Sequence, residues 1–131
     1  MALPITAVIA GLCALWLIVL QFKVVGFRRG KGVSLGHDND EMGERLIRAH
    51  ANAVENIPIF LILLGLSEGL GTPGWVLWLL GLFFLTGRVL HGVHFFKIRE
   101  GFKMRVYGML MTLISIGLAA LGVAVHGLAS L

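Results

Sequence analysis

Four stretches of about twenty mainly apolar residues leave this chain few folds to choose from, because each is long enough to cross a bilayer. They run over about 3–25, 46–66, 73–96 and 104–128, with a polar connection over about 26–45 and two shorter connections after it. With 57% of its 131 residues hydrophobic, the chain has more apolar side chains than a small soluble core can hide. The pattern predicts an all-α protein, a four-helix transmembrane bundle forming a single domain over 1–131. The first stretch has no basic segment ahead of it, so it reads as a retained helix rather than a signal peptide.

Charge placement predicts the orientation. All eleven Lys and Arg fall around two connections: Lys23, Arg28, Arg29, Lys31, Arg45 and Arg48 around the first, and Arg88, Lys97, Arg99, Lys103 and Arg105 around the third. With four spans these connections share a side, which the positive-inside rule assigns to the cytosol, leaving both termini outside. A bacterial inner membrane suits such a chain. The net charge of +4 is then a topology signal, and nothing in it specifies nucleic acid as a partner.

The second span opens with costly groups. At about 100° per residue, Arg45, Arg48, Asn52, Glu55 and Asn56 fall on one stripe roughly a quarter-turn wide. Polar and charged groups near lipid are expensive and by default face a protein interior or a wet cavity. At the same membrane depth the third span carries Arg88, His91 and His94, and the fourth opens with Lys103 and Arg105. Glu55 and Arg88 lie at matching depths on antiparallel neighbours, which predicts a pair. Such a pair either fixes helix register or belongs to a site where Glu55 takes a ligand ammonium while arginines take carboxylates.

Other features have plainer readings. Asp38, Asn39 and Asp40 suit the cap of the second helix and do not match calcium-loop spacing. Pro58 predicts a kink in the second span or a carbonyl freed one turn earlier near Val54, and Gly65 with Gly69 forms a GxxxG suited to close helix approach. Cys13 reads as a small buried apolar residue, and there is no metal-type cysteine spacing. Histidines on different helices of a membrane bundle can ligate haem, but only His50 with His91 or His94 shares a depth here, and His126 lies near the opposite face. The sequence therefore argues against haem.

The run E-R-x-x-R-A-x-x-N-x-x-E from Glu44 to Glu55, the segment GRVLHGVHFFKIR and a fourth helix opening R-x-Y-G at Arg105 together carry a resemblance. Over essentially its whole length the chain resembles the MAPEG family, the membrane-associated proteins in eicosanoid and glutathione metabolism, microsomal glutathione transferases among them. The resemblance implies a homotrimer of four-helix protomers with glutathione as cosubstrate, bound between neighbours near the cytosolic face, and a lipophilic substrate arriving from the bilayer. Arg48, Asn52 and Glu55 match second-helix residues that hold glutathione in the family, and Arg105 matches the arginine that stabilises its thiolate. Arg88 and His91 match the GR-x-x-H pattern of the prostaglandin synthase branch, His94 lies beside them, and Arg28 lies roughly where a first-loop arginine contacts the ligand.

The chain also departs from the family pattern. Strongly conjugating members carry tyrosines on the third helix and just after the second-helix glutamate, where this sequence has His94, Ile98 and Asn56. Two readings stay open: a glutathione transferase or peroxidase acting on lipophilic electrophiles, and a non-catalytic membrane scaffold binding lipid or glutathione. A proton-coupled exporter is disfavoured, because arginines beside Glu55 would hold it ionised.

Overall fold

The computed structural model describes residues 2–98 and 101–131. It contains α1 (Pro4–Lys31), α2 (Glu41–Gly69), α3 (Gly74–His94) and α4 (Lys103–Ala129), each long and apolar enough to cross a membrane. The protein is a multi-pass membrane protein. Arg99, counted above with the basic residues of the third connection, lies outside the described residues.

The first connection is shorter than expected, because the helices on either side of it continue past their apolar stretches. α1 carries Arg28, Arg29 and Lys31 in its last turn, where cations complement the negative helix end. It stops at Gly32, whose φ of +67° is the left-handed conformation glycine adopts most readily. α2 starts at Glu41, behind an Asp40 side chain that accepts hydrogen bonds from the N–H groups of Met42 (2.9 Å) and Gly43 (3.2 Å). Between them Asp38 and Asn39 hold positive φ, which Asp and Asn tolerate better than other side chains.

Lys31 Nζ reaches Asp40 at 2.9 Å across this connection. That contact, with the α2 backbone N–H groups, holds the Asp40 carboxyl below its ordinary value. A depressed folded-state value stabilises above the unfolded carboxylate value of about 3.9 and is lost as pH falls through the folded one. The 32–40 connection is therefore expected to resist proteolysis equally from pH 7 down to about 4 and to loosen only below. Asp40→Ala should make it sensitive already at pH 7. Limited proteolysis across that range checks both.

At the other end of the bundle, α2 and α3 join through a turn in which Gly71 takes φ +86°. The Glu68 carboxylate caps α1 there, accepting from the N–H groups of Ile5 (3.0 Å) and Thr6 (2.8 Å). Two of the donors that a helix start leaves unpaired are thus satisfied by another helix. Nothing in the local spacing of the sequence announces this contact.

α2 runs unbroken through Pro58. The core gathers Ile9, Cys13 and Leu20 of α1, Ala53, Phe60 and Leu64 of α2, and Leu77 and Phe84 of α3. Phe60 and Phe84 stack at 3.8 Å between centroids. α4 packs along α3 and against α2, and its backbone does not come close to that of α1 among the described residues.

The tightest helix approach is not at the expected GxxxG. A Cβ on Gly65 would find only ordinary van der Waals contact, 3.7 Å from Thr6. The close crossing is between α3 and α4. A Cβ on Gly108 would lie 2.6 Å from the Gly87 carbonyl oxygen and from the His91 nitrogen, and one on Gly87 would lie 2.9 Å from the Gly108 carbonyl oxygen. Because the obstructing atoms are backbone, the helices must part to admit a side chain. Gly108→Ala is expected to destabilise the bundle by about 1–3 kcal/mol, the usual range for overpacking. Thermal unfolding in detergent should show this, with Gly117→Ala, where a Cβ meets open space, as the unaffected control.

Candidate functional site

At the basic end of the bundle, α2, the C-terminal end of α3 and the start of α4 enclose a polar cavity of about 320 Å³, lined by Glu44, Arg45, Arg48, Asn52, His91, Phe95 and Arg105. A second cavity of about 420 Å³ shares Asn52, His91 and Arg105 with the first and continues along α4 past Phe102, Val106, Met109, Leu110 and Leu113. The two together fall within the size range of small-molecule sites. One half offers guanidinium groups, an amide and one carboxylate; the other is apolar. Val106, Leu110 and Leu113 are also exposed, so the apolar half opens onto the surface of the protomer along α4.

Arg88 stands behind Asn52. It is 2% exposed and donates through Nε to Thr112 Oγ1 (2.7 Å), through Nη1 to Asn52 Oδ1 (2.6 Å) and through Nη2 to Met109 Sδ (3.6 Å). Thr112 Oγ1 in turn donates to the Gly108 carbonyl at 2.9 Å. One guanidinium thus ties three helices together, and no carboxylate pairs with it among the described residues. Its charge adds to the positive field at the Asn52 wall. Since the Asn52 oxygen is taken by Arg88, the NH₂ group is what the amide can offer a ligand.

The expected Glu55–Arg88 pair is not formed. Asn52 occupies Arg88, and Glu55 lies about 60° further round α2, exposed on its outer side. The carboxylate that does line the polar cavity is Glu44, which the sequence marked only as the first residue of the E-R-x-x-R run.

Of the residues expected in the site, Arg48, Asn52, His91 and Arg105 come together in the cavity, and Arg88 supports it. His94 does not line it. It is buried against the edge of the Phe95 ring at 5.2 Å, and its carbonyl accepts from Arg45 Nη2 at 3.1 Å. Arg28 lies elsewhere, donating through Nε to the Gly36 carbonyl at 3.3 Å and lining a separate groove with Arg29 and Ser34. Sequence reasoning missed Phe95 and Thr112. Gly108, one helical turn before Thr112 and part of the R-x-Y-G segment, was the available signal that this stretch faces α3.

The start of α4 is also distinctive. Its N-cap, Phe102, makes no side-chain cap hydrogen bond among the described residues, and Arg105 lies in the first turn that follows, near the positive helix end.

The chain matches the MAPEG family over residues 6–125, nearly the whole of the four-helix unit just described. It belongs to the MAPEG family. Among relatives of this MAPEG protein are the inner membrane protein YecN of Escherichia coli strain K12 and its counterpart in Escherichia coli O6:H1 strain CFT073. Each is 34% identical over 110 residues, covering 82% of this chain and 81% of the relative. Their name places those proteins in the inner membrane and says nothing of a substrate.

Proposed function

We propose that this MAPEG protein binds glutathione in the polar cavity and uses it, as a thiolate, against lipophilic electrophiles or peroxides that occupy the apolar one. The observation that carries this reading is the junction: Arg105 lines both cavities, so a sulfur beside it would face an apolar substrate directly. Glutathione carries two carboxylates, an ammonium and a thiol. Arg45 and Arg48 suit the carboxylates, Glu44 suits the ammonium, and the Asn52 NH₂ suits a carbonyl or carboxylate.

Arg105 supplies the activation. A guanidinium beside sulfur lowers a thiol pKa from about 8.5 towards neutrality, and the positive N-terminal end of α4 acts in the same sense. With an electrophilic carbon the thiolate forms a sulfur–carbon bond as the leaving group departs with its electron pair; with a hydroperoxide it attacks the terminal oxygen, the O–O bond breaks to release the alcohol, and a second glutathione turns the resulting sulfenic acid into the disulfide and water. Orientation and electrostatic stabilisation carry the rate.

Glu55 supports the homotrimer. An exposed carboxylate on a spanning helix is costly against lipid, and a neighbouring copy with its basic cavity would relieve that cost. On this reading Glu55 completes the glutathione site of the adjacent protomer. The basic end faces the cytosol and both termini lie outside, following the charge distribution.

The test is turnover. Purified protein with glutathione and a panel of lipophilic halides, epoxides and fatty hydroperoxides should yield conjugates or oxidised glutathione. Saturable binding with no product across the panel would leave the non-catalytic scaffold instead.

A further inference from the structure

Among the described residues, no hydrogen bond or ion pair holds the exposed Arg105 guanidinium; what it meets is an aromatic ring. Its Cζ lies 5.7 Å from the centroid of Phe95, and Arg45 Cζ, from a different helix, lies 5.5 Å from the same centroid. Phe95 is 8% exposed, sits at the C-cap of α3 and lines the polar cavity. His91 and His94 pack on it, each with 5.2 Å between centroids. Arg45 is additionally fixed by donating to the carbonyls of His94 (3.1 Å) and Lys97 (2.9 Å). The ring is therefore a buried platform, braced by two imidazoles, that sets two cations from two helices at one wall of the cavity.

We propose that Phe95 is a positioning residue that holds Arg105 over the cavity and so sets how much of a bound thiol is ionised. An arginine on a flexible stem loses rotamer freedom when it must meet an anion, and a guanidinium already resting on a ring has lost part of it beforehand. The ring leaves the guanidinium charge intact, so what it contributes is placement. The effect on thiol ionisation rests on the glutathione reading; the placement of Arg105 does not.

The experiment follows the Arg105 and Arg45 side-chain Nε–Hε resonances in detergent-solubilised wild type, Phe95→Leu and Phe95→Tyr, assigned with Arg45→Lys and Arg105→Lys. Thiolate absorbance of bound glutathione is titrated against pH in the same samples. Wild type and Phe95→Tyr should show a ring-current shift at both arginines, which Phe95→Leu abolishes while the remaining spectrum stays dispersed. The thiolate fraction near neutral pH should fall roughly threefold to fivefold in Phe95→Leu, matching the loss of one cation–π contact, and recover in Phe95→Tyr. An Arg105 resonance identical in wild type and Phe95→Leu overturns the proposal whatever glutathione does. An unchanged thiol titration in Phe95→Leu, where Arg105→Lys does shift it, also overturns it. Failure of wild type to bind glutathione would defeat the glutathione reading and with it the proposed effect on ionisation, while the resonances still decide the placement.

Discussion

Arg88→Ala is expected to lower the unfolding free energy by about 3 kcal/mol, from the void left in a packed interior and the hydrogen bonds lost together. Arg88 joins Asn52 of α2 to Thr112 and Met109 of α4 from a position on α3. Removing it unties three helices at once. Arg88→Met separates the two contributions. Methionine refills most of the volume, and burying a charge without a carboxylate is itself costly, so this variant should recover more than half of the lost stability. It should not recover the site, because Asn52 still lacks the donor that orients its amide. Thermal unfolding in detergent measures both variants. An Arg88→Ala protein that melts with wild type would show that the network contributes nothing to the fold.

The second large effect is on rate. On the proposed chemistry, Arg105→Ala should reduce turnover by about 10²–10³-fold, the range for loss of one charge-stabilising group. Glutathione affinity should change less than tenfold, because Arg45, Arg48 and Glu44 remain. The pH profile identifies the cause. Without the cation the bound thiol returns towards about 8.5, so the rising limb moves to higher pH and part of the activity returns in alkaline buffer. Arg105→Lys should fall between, retaining charge but not the planar guanidinium. A rate loss in Arg105→Ala with an unmoved pH profile would assign the residue to substrate placement instead.

How far the sequence reaches is clearest at α2. Helical periodicity correctly put Arg45, Arg48 and Asn52 on one stripe, and all three line the cavity. Periodicity fixes angles within a helix, however, and not the rotation of one helix against another. In a membrane chain that rotation is poorly marked, because the interior and the lipid-facing surface are both apolar. Glu55 and Arg88 at equal depth therefore suggested a pair, whereas Asn52, about 60° nearer the interior, takes that place. Phe95 was equally hidden. One of three phenylalanines from Phe95 to Phe102, it is distinguished only by the arginines that converge on it. Glu68 shows the same limit, since its partners, Ile5 and Thr6, lie more than sixty residues away in sequence. The spans, by contrast, were legible because bilayer thickness imposes their length.

Gly87 and Gly108 connect fold to site. Their backbones meet where α3 and α4 cross, and Arg88 and His91 follow within the next turn of α3. Close approach brings His91 to the wall it shares with Arg105, so changes that spread this crossing should weaken the site as well as the bundle.

The central claim is that the polar cavity holds glutathione, and isothermal titration of reduced glutathione into the detergent-purified protein tests it most directly. Wild type should bind saturably, Arg105→Ala should still bind, and Glu55→Ala should lose at least tenfold in affinity, about 1.4 kcal/mol, because an adjacent protomer no longer receives its carboxylate. Absence of binding at millimolar glutathione in wild type would contradict the account and leave the basic cluster as a structural feature of a membrane scaffold.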